Sequence, residues 1–155
     1  MTTLLKRASD EVRVFRLVKH IKDHYPPGAE KPLPGAFRLT NDDIADGVQR
    51  NIPPLLSVWD SAKTTVVQAR MIRGSVAEYS PFCWSVATIR AIRIASAESL
   101  EVYHDPLTEI TAAGACGHAG VAGLGKAKAS KKEKEAHREL QVRLAEACAP
   151  WNEEP

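Results

Sequence analysis

Four side chains in the C-terminal half of this sequence have the chemistry of a reaction centre: His104, Asp105, Cys116 and His118. A thiol attacks as its thiolate, and a nearby imidazole lowers its pKa and takes its proton. Cys116 and His118 sit inside Gly114–Gly125, where every other residue is Gly, Ala, Val or Leu. Small residues let backbone amides approach a ligand, and freed N–H groups could hold an oxyanion. The pattern implies a small Cys/His-dependent hydrolase or transferase that uses the Gly-rich loop 114–125. His104 and Asp105 would join it if their strand ended beside that loop. The same four side chains have zinc-ligand chemistry, yet their spacing matches no recurrent zinc pattern, so no metal and no cofactor is expected. Against catalysis, a Cys and a His two residues apart in a loop make a poor nucleophile–base pair. A small packed thiol beside a polar loop residue is the plainer reading.

The loop leads into Lys126, Lys128, Lys131 and Lys132. Gly-rich turns and helix N-termini attract anions, but neither a dinucleotide fingerprint nor a P-loop is present. Nucleic-acid binding through Lys126–Lys134 is a weaker alternative, because Glu133, Glu135 and Glu139 blunt the field and no aromatic is at hand to stack on bases. Trp151 follows Pro150 in a short tail. It either folds back as a lid or anchors a partner, as interface tryptophans do. Trp151 with Lys126, Lys128, Lys131 and Lys132 therefore forms the candidate partner-binding set.

The elements that must position these residues follow from pattern. The chain has 155 residues, 44% hydrophobic and 26% charged, which suits one globular core. Net charge is only +2, so no global electrostatic case for nucleic acid exists. Lys and Arg predominate in residues 1–38, whereas Asp and Glu predominate in residues 39–110. Cys83, Cys116 and Cys148 are widely spaced and odd in number, which fits reduced thiols rather than a disulfide framework. The first residues hold no apolar run of signal length and no segment is long enough to span a bilayer, so a cytoplasmic protein without membrane contact is expected.

Val14, Leu17, Val18, Ile21 and Tyr25 recur at spacings of three and four, which predicts a helix over Asp10–Tyr25 in preference to a short strand. Pro26–Pro34 is a connection, and Phe37–Leu39 a short strand. Thr40 with Asp43 reads as a capping box for a helix that Asn51–Pro54 stops. Leu55–Asp60 is a strand, then Thr64 caps a helix over Thr65–Arg73 that Gly74 ends. Phe82–Val86 reads as strand, Ala87–Ile94 as helix and Leu100–His104 as strand. Ser130 and Glu133 form a capping box for an amphipathic helix at about 130–148. Trp59 and Trp84 are expected in the core.

The fold class is α+β: a small single-domain sheet packed with helices over residues 1–150, with residues 151–155 as a tail. Since no complete catalytic set is visible, the leading expectation is a non-enzymatic protein-interaction module or accessory subunit of an intracellular complex.

Overall fold

The computed structural model describes residues 5–74, 78–95 and 97–152. It is α+β. Seven strands form one antiparallel sheet: β1 (Lys6–Arg7), β2 (Arg13–Lys19), β3 (Leu55–Asp60), β4 (Tyr79–Ser85), β5 (Glu101–His104), β6 (His118–Ala122) and β7 (Ala149–Pro150), in the order β1-β5-β6-β3-β2-β4-β7. The described helices are α1 (Asn41–Arg50), α2 (Val66–Arg73), α3 (Val86–Ala91) and α4 (Lys131–Ala147). Short 3-10 turns occupy Pro34–Phe37 and Ala115–Gly117. No described helix is long and apolar enough to cross a membrane.

Side chains alternate between the two faces of a strand, and here both faces are covered. On one face Val14, Val18, Leu56, Val58, Phe82 and Trp84 pack with Leu140 and Leu144 of α4 and Val86 and Ile89 of α3. The Trp84 indole donates to the Leu144 carbonyl at 3.0 Å. On the other face Phe15, Leu17, Trp59 and Cys83 pack with Val66 and Ala69 of α2. The helix starts are capped as their sequences require. Thr40, Thr65 and Ser130 accept from the backbone N–H groups of Asp43, Gln68 and Glu133, whose side chains return the bond. Asn51 and Gly74 end α1 and α2 in the left-handed conformation.

Several expectations are corrected. Asp10–Tyr25 is not a helix; it holds β2, which is central and buried on both faces. Val14, Phe15, Leu17 and Val18 are all needed in the core, and that dense pattern mimics helical spacing. Phe37–Leu39 is not a strand, because the preceding Pro34-Gly35 nucleates a 3-10 turn. Thr65, not Thr64, caps α2, while the Thr64 hydroxyl donates to the Gly114 carbonyl at 2.6 Å. The segment 114–125 is not simply a Gly-rich loop, since its centre is β6, between β5 and β3. Its small residues serve packing: an added Cβ at Gly120 would lie 2.6 Å from the Leu55 Cβ.

The sheet is split at its centre. β2 and β3 pair only at Val14–Asp60 and Phe15–Trp59. Arg16 to Lys19 stay paired with β4 but part from β3. The Arg16 guanidinium spans the opening, donating from Nε to the Ala36 carbonyl at 2.9 Å and from Nη1 to the Ser57 carbonyl at 2.8 Å.

Candidate functional site

Of the four side chains with reaction-centre chemistry, the fold joins two and separates two. Asp105 follows β5 and His118 opens β6, and the Asp105 N–H continues the ladder by donating to the His118 carbonyl at 3.0 Å. Their side chains share one face of the sheet. His118 Nδ1 lies 2.9 Å from the Asp105 carbonyl oxygen and 3.6 Å from its carboxylate. His118 Nε2 lies 2.9 Å from Ser57 Oγ. A carbonyl can only accept, so Nδ1 carries the proton, and in the neutral imidazole Nε2 accepts from the Ser57 hydroxyl. The Trp59 ring meets the imidazole edge-on at 5.0 Å.

Arg50, at the end of α1, clamps the Asp105 carboxylate with two hydrogen bonds, at 2.6 Å and 3.1 Å. Burial acts to raise the Asp105 carboxyl, but hydrogen bonds from His118 and from Arg50 outweigh it and hold it well below the usual carboxylate range. The same bonds raise Arg50 further above its ordinary value.

His104 points to the opposite face of β5 from Asp105, as alternation demands. Its Nδ1 is buried without a hydrogen-bond partner, and its pKa is lowered by burial and then by Lys63. Cys116 is exposed on its 3-10 turn, with no hydrogen bond to either imidazole among the described residues. Among those residues, no group of three His, Cys, Asp or Glu side chains is placed to hold a metal ion.

Ser57, His118 and Asp105 thus carry the atom order of a nucleophile, a base and an orienting acid, with Ser57 in the place the sequence reading gave to Cys116. Chemistry would also need an open approach and oxyanion donors. Ser57 instead lies within β3, flanked by buried Leu56 and Val58, and its carbonyl is held by Arg16. The trio acts as a cross-strand tie that fixes α1 to the β5–β6 edge through Arg50. Ser57→Ala should cost about 1 kcal/mol, the worth of one hydrogen bond. A fluorophosphonate should leave the protein's intact mass unchanged, and stoichiometric labelling of Ser57 would make the trio catalytic instead.

A second arrangement is electrostatic. Where β2 and β3 part, a cavity of about 340 Å³ is lined by Arg16, Lys19, His24, Arg38 and Arg73, beside Thr40 and Asn41 at the start of α1. A neighbouring cavity of about 680 Å³ is lined by Arg38, Lys126, Lys128, Lys134, His137 and Arg138. The two share Arg38, Leu39 and Asn41, and no carboxylate lines either. Neither is lined by Ser57, His118 or Cys116.

Three carboxylates stand close by. Asp43 acts on Arg16, Asp23 acts on His24, and Glu133 pairs with Lys126. Among the described residues Lys19, Arg38, Lys128, Lys134 and Arg138 make no ion pair. Burial, followed by the Arg73 charge, lowers Arg16 to about 10. Burial also lowers His24 and His137, so the positive charge at neutral pH comes from the Lys and Arg side chains.

The lysines expected to bind a partner are divided. Lys126 and Lys128 line the larger cavity, whereas Lys131 and Lys132 are exposed on the first turn of α4 and line neither. Trp151 folds back: its ring is parallel to Phe15 at 6.5 Å, the Arg13 guanidinium lies 5.0 Å over it, and its backbone N–H donates to the Pro81 carbonyl. Glu153, Glu154 and Pro155 of the expected tail lie outside the described residues. Arg16, Lys19, Arg38 and Arg73 were not singled out from sequence, because three separate elements bring them together. Their one signal was the basic surplus of residues 1–38.

No family model, no curated protein and no solved structure matches this chain.

Proposed function

We propose that the chain is a non-catalytic binding module that takes the phosphate backbone of duplex nucleic acid across its two adjoining cavities. One observation supports this reading above all: eight Lys and Arg side chains line two cavities joined at Arg38, and no carboxylate lines either. A net charge of +2 makes this a local field rather than a property of the whole surface. No Phe, Tyr or Trp side chain lines either cavity, so charge outweighs base stacking and the backbone is the natural target. The lysines between β6 and α4 gain company from β2, α2 and the segment before α1, which the sequence-based nucleic-acid reading lacked.

An acidic segment of another protein would meet the same charges, and that accessory-subunit reading is the second outcome of the test. Binding of a duplex of arbitrary sequence is followed by fluorescence anisotropy from low to physiological salt. Each neutralised phosphate contributes about 0.9 to the log–log salt slope. Contacts from half of the lining cations give a slope of about −4. Lys134→Glu with Arg138→Glu should weaken binding at least tenfold and flatten the slope. Absence of binding at low salt, or a slope near zero, overturns the reading. A polyglutamate peptide that binds more tightly than the duplex replaces nucleic acid with an acidic protein partner.

A further inference from the structure

We infer that the smaller cavity, where β2 parts from β3, is a socket for a terminal phosphate monoester at the end of a nucleic-acid strand. The inference rests on the duplex-binding reading and gives its two cavities different tasks.

The sheet opens at this point because β2 and β3 stop pairing after Phe15 and Trp59. The first cation in the opening is Arg16. Its Nε and Nη1 are spent on the carbonyls of Ala36 and Ser57, which fix the plane of the guanidinium. Its Nη2 makes no hydrogen bond to a described residue. Lys19 and Arg38 have no carboxylate partner there either. Among the described residues Arg73 makes no ion pair, and its guanidinium lies 5.3 Å over the Tyr79 ring. Four permanent cations therefore surround about 340 Å³ without a counter-charge in the lining.

Neighbouring groups do not cancel them. Asp43 is committed to the α1 capping box, where it accepts from the Thr40 N–H at 2.8 Å. Asp23 raises His24 less than burial and the nearby cations lower it.

The number of charges selects the ligand class. A backbone diester carries one negative charge and two terminal oxygens. A terminal monoester carries close to two charges at neutral pH and three acceptor oxygens. Planar guanidinium groups meet such oxygens in pairs. Three guanidinium groups and one ammonium in one cavity are under-used by a diester. The larger cavity, with the smooth stretch Gly125, Ala127 and Ala129 in its wall and Lys126 already paired with Glu133, suits a backbone running past.

The test uses the full chain and two duplexes of one sequence, with strand ends either phosphorylated or bearing hydroxyls. The phosphorylated duplex should bind about tenfold more tightly, the worth of one added charge-assisted contact. Inorganic phosphate should erase that difference without releasing the duplex. Lys19→Ser with Arg73→Ser should bring the two duplexes to equal affinity, whatever loss of backbone binding both share. Lys134→Ser with Arg138→Ser should weaken both duplexes and keep their ratio. Unchanged thermal melting of both double variants would exclude misfolding as the cause. Equal binding of the two duplexes by the unaltered chain overturns the socket and leaves the backbone reading standing. Failure to bind either duplex, with saturable binding of inorganic phosphate that Lys19→Ser and Arg73→Ser abolish, overturns the duplex reading and makes a free phosphate compound the occupant. Binding of neither overturns both.

Discussion

Replacing Asp105 by Ala should destabilise the protein by about 3 kcal/mol, as breaking a buried ion pair from one side does. The variant removes the two Asp105 oxygens that accept from the Arg50 guanidinium and leaves that cation against the ends of β5 and β6. The cost falls at the low end of the range because the Arg50 side chain, 31% exposed, still reaches water and Asp46. Urea denaturation measures it as a lower midpoint with an unchanged slope. Replacing both partners with apolar residues, Arg50→Met with Asp105→Leu, should recover much of the loss, since the uncompensated charge is then gone. If Asp105→Ala costs less than 1 kcal/mol, the clamp is a surface pair and α1 is held by packing alone.

The pH dependence has a definite sign. The carboxyl is held below its ordinary value of 3.8, so its contribution is complete above pH 3.8 and is lost as pH falls through the lower folded value. The stability gap between the natural chain and Asp105→Ala should therefore be constant above that pH and narrow below it.

Gly120→Val should lower stability by about 2–3 kcal/mol, or roughly 8 °C in Tm. Strand propensity alone argues for the opposite sign, because valine is the better strand former. Geometry decides the matter: the new Cβ would sit 2.6 Å from the Leu55 Cβ and 2.8 Å from its Cδ1. Neither strand can yield, since β3 and β6 are paired from Leu55–Ala122 to Trp59–His118. Removing the obstruction, its Cβ included, with Leu55→Gly in the Gly120→Val background should restore part of the loss. A simple sum of the two single effects would mean that the strands relax independently of this contact.

These two sites also measure what the sequence could disclose. Capping pairs were legible because they are local: Thr40 with Asp43 and Ser130 with Glu133 lie three residues apart and complete their bonds within one turn. The strands Leu55–Asp60 and Leu100–His104 were legible because Pro and Asp bound them. β2 was misread because a strand buried on both faces loses its alternation. β6 was misread because the absence of side chains at Gly120 records the bulk of Leu55 across the ladder, and one strand cannot announce its neighbour. The His118–Asp105 contact followed from supposing that β5 ended beside the glycines. Ser57 did not, since a lone serine between apolar residues gives no sign of the imidazole it will meet. Arg16, Arg38 and Arg73 were invisible as a group for the same reason: their proximity is created by the parting of β2 from β3.

The outermost strands are two residues long. One consists of Lys6 and Arg7, and the other ends in Pro150, which has no N–H to give. Margins this short, one basic and one ending in proline, disfavour main-chain pairing of one copy with the next along β1 and β7. Contacts between copies through side chains or a bridging ligand are therefore favoured over edge-to-edge pairing at these two margins.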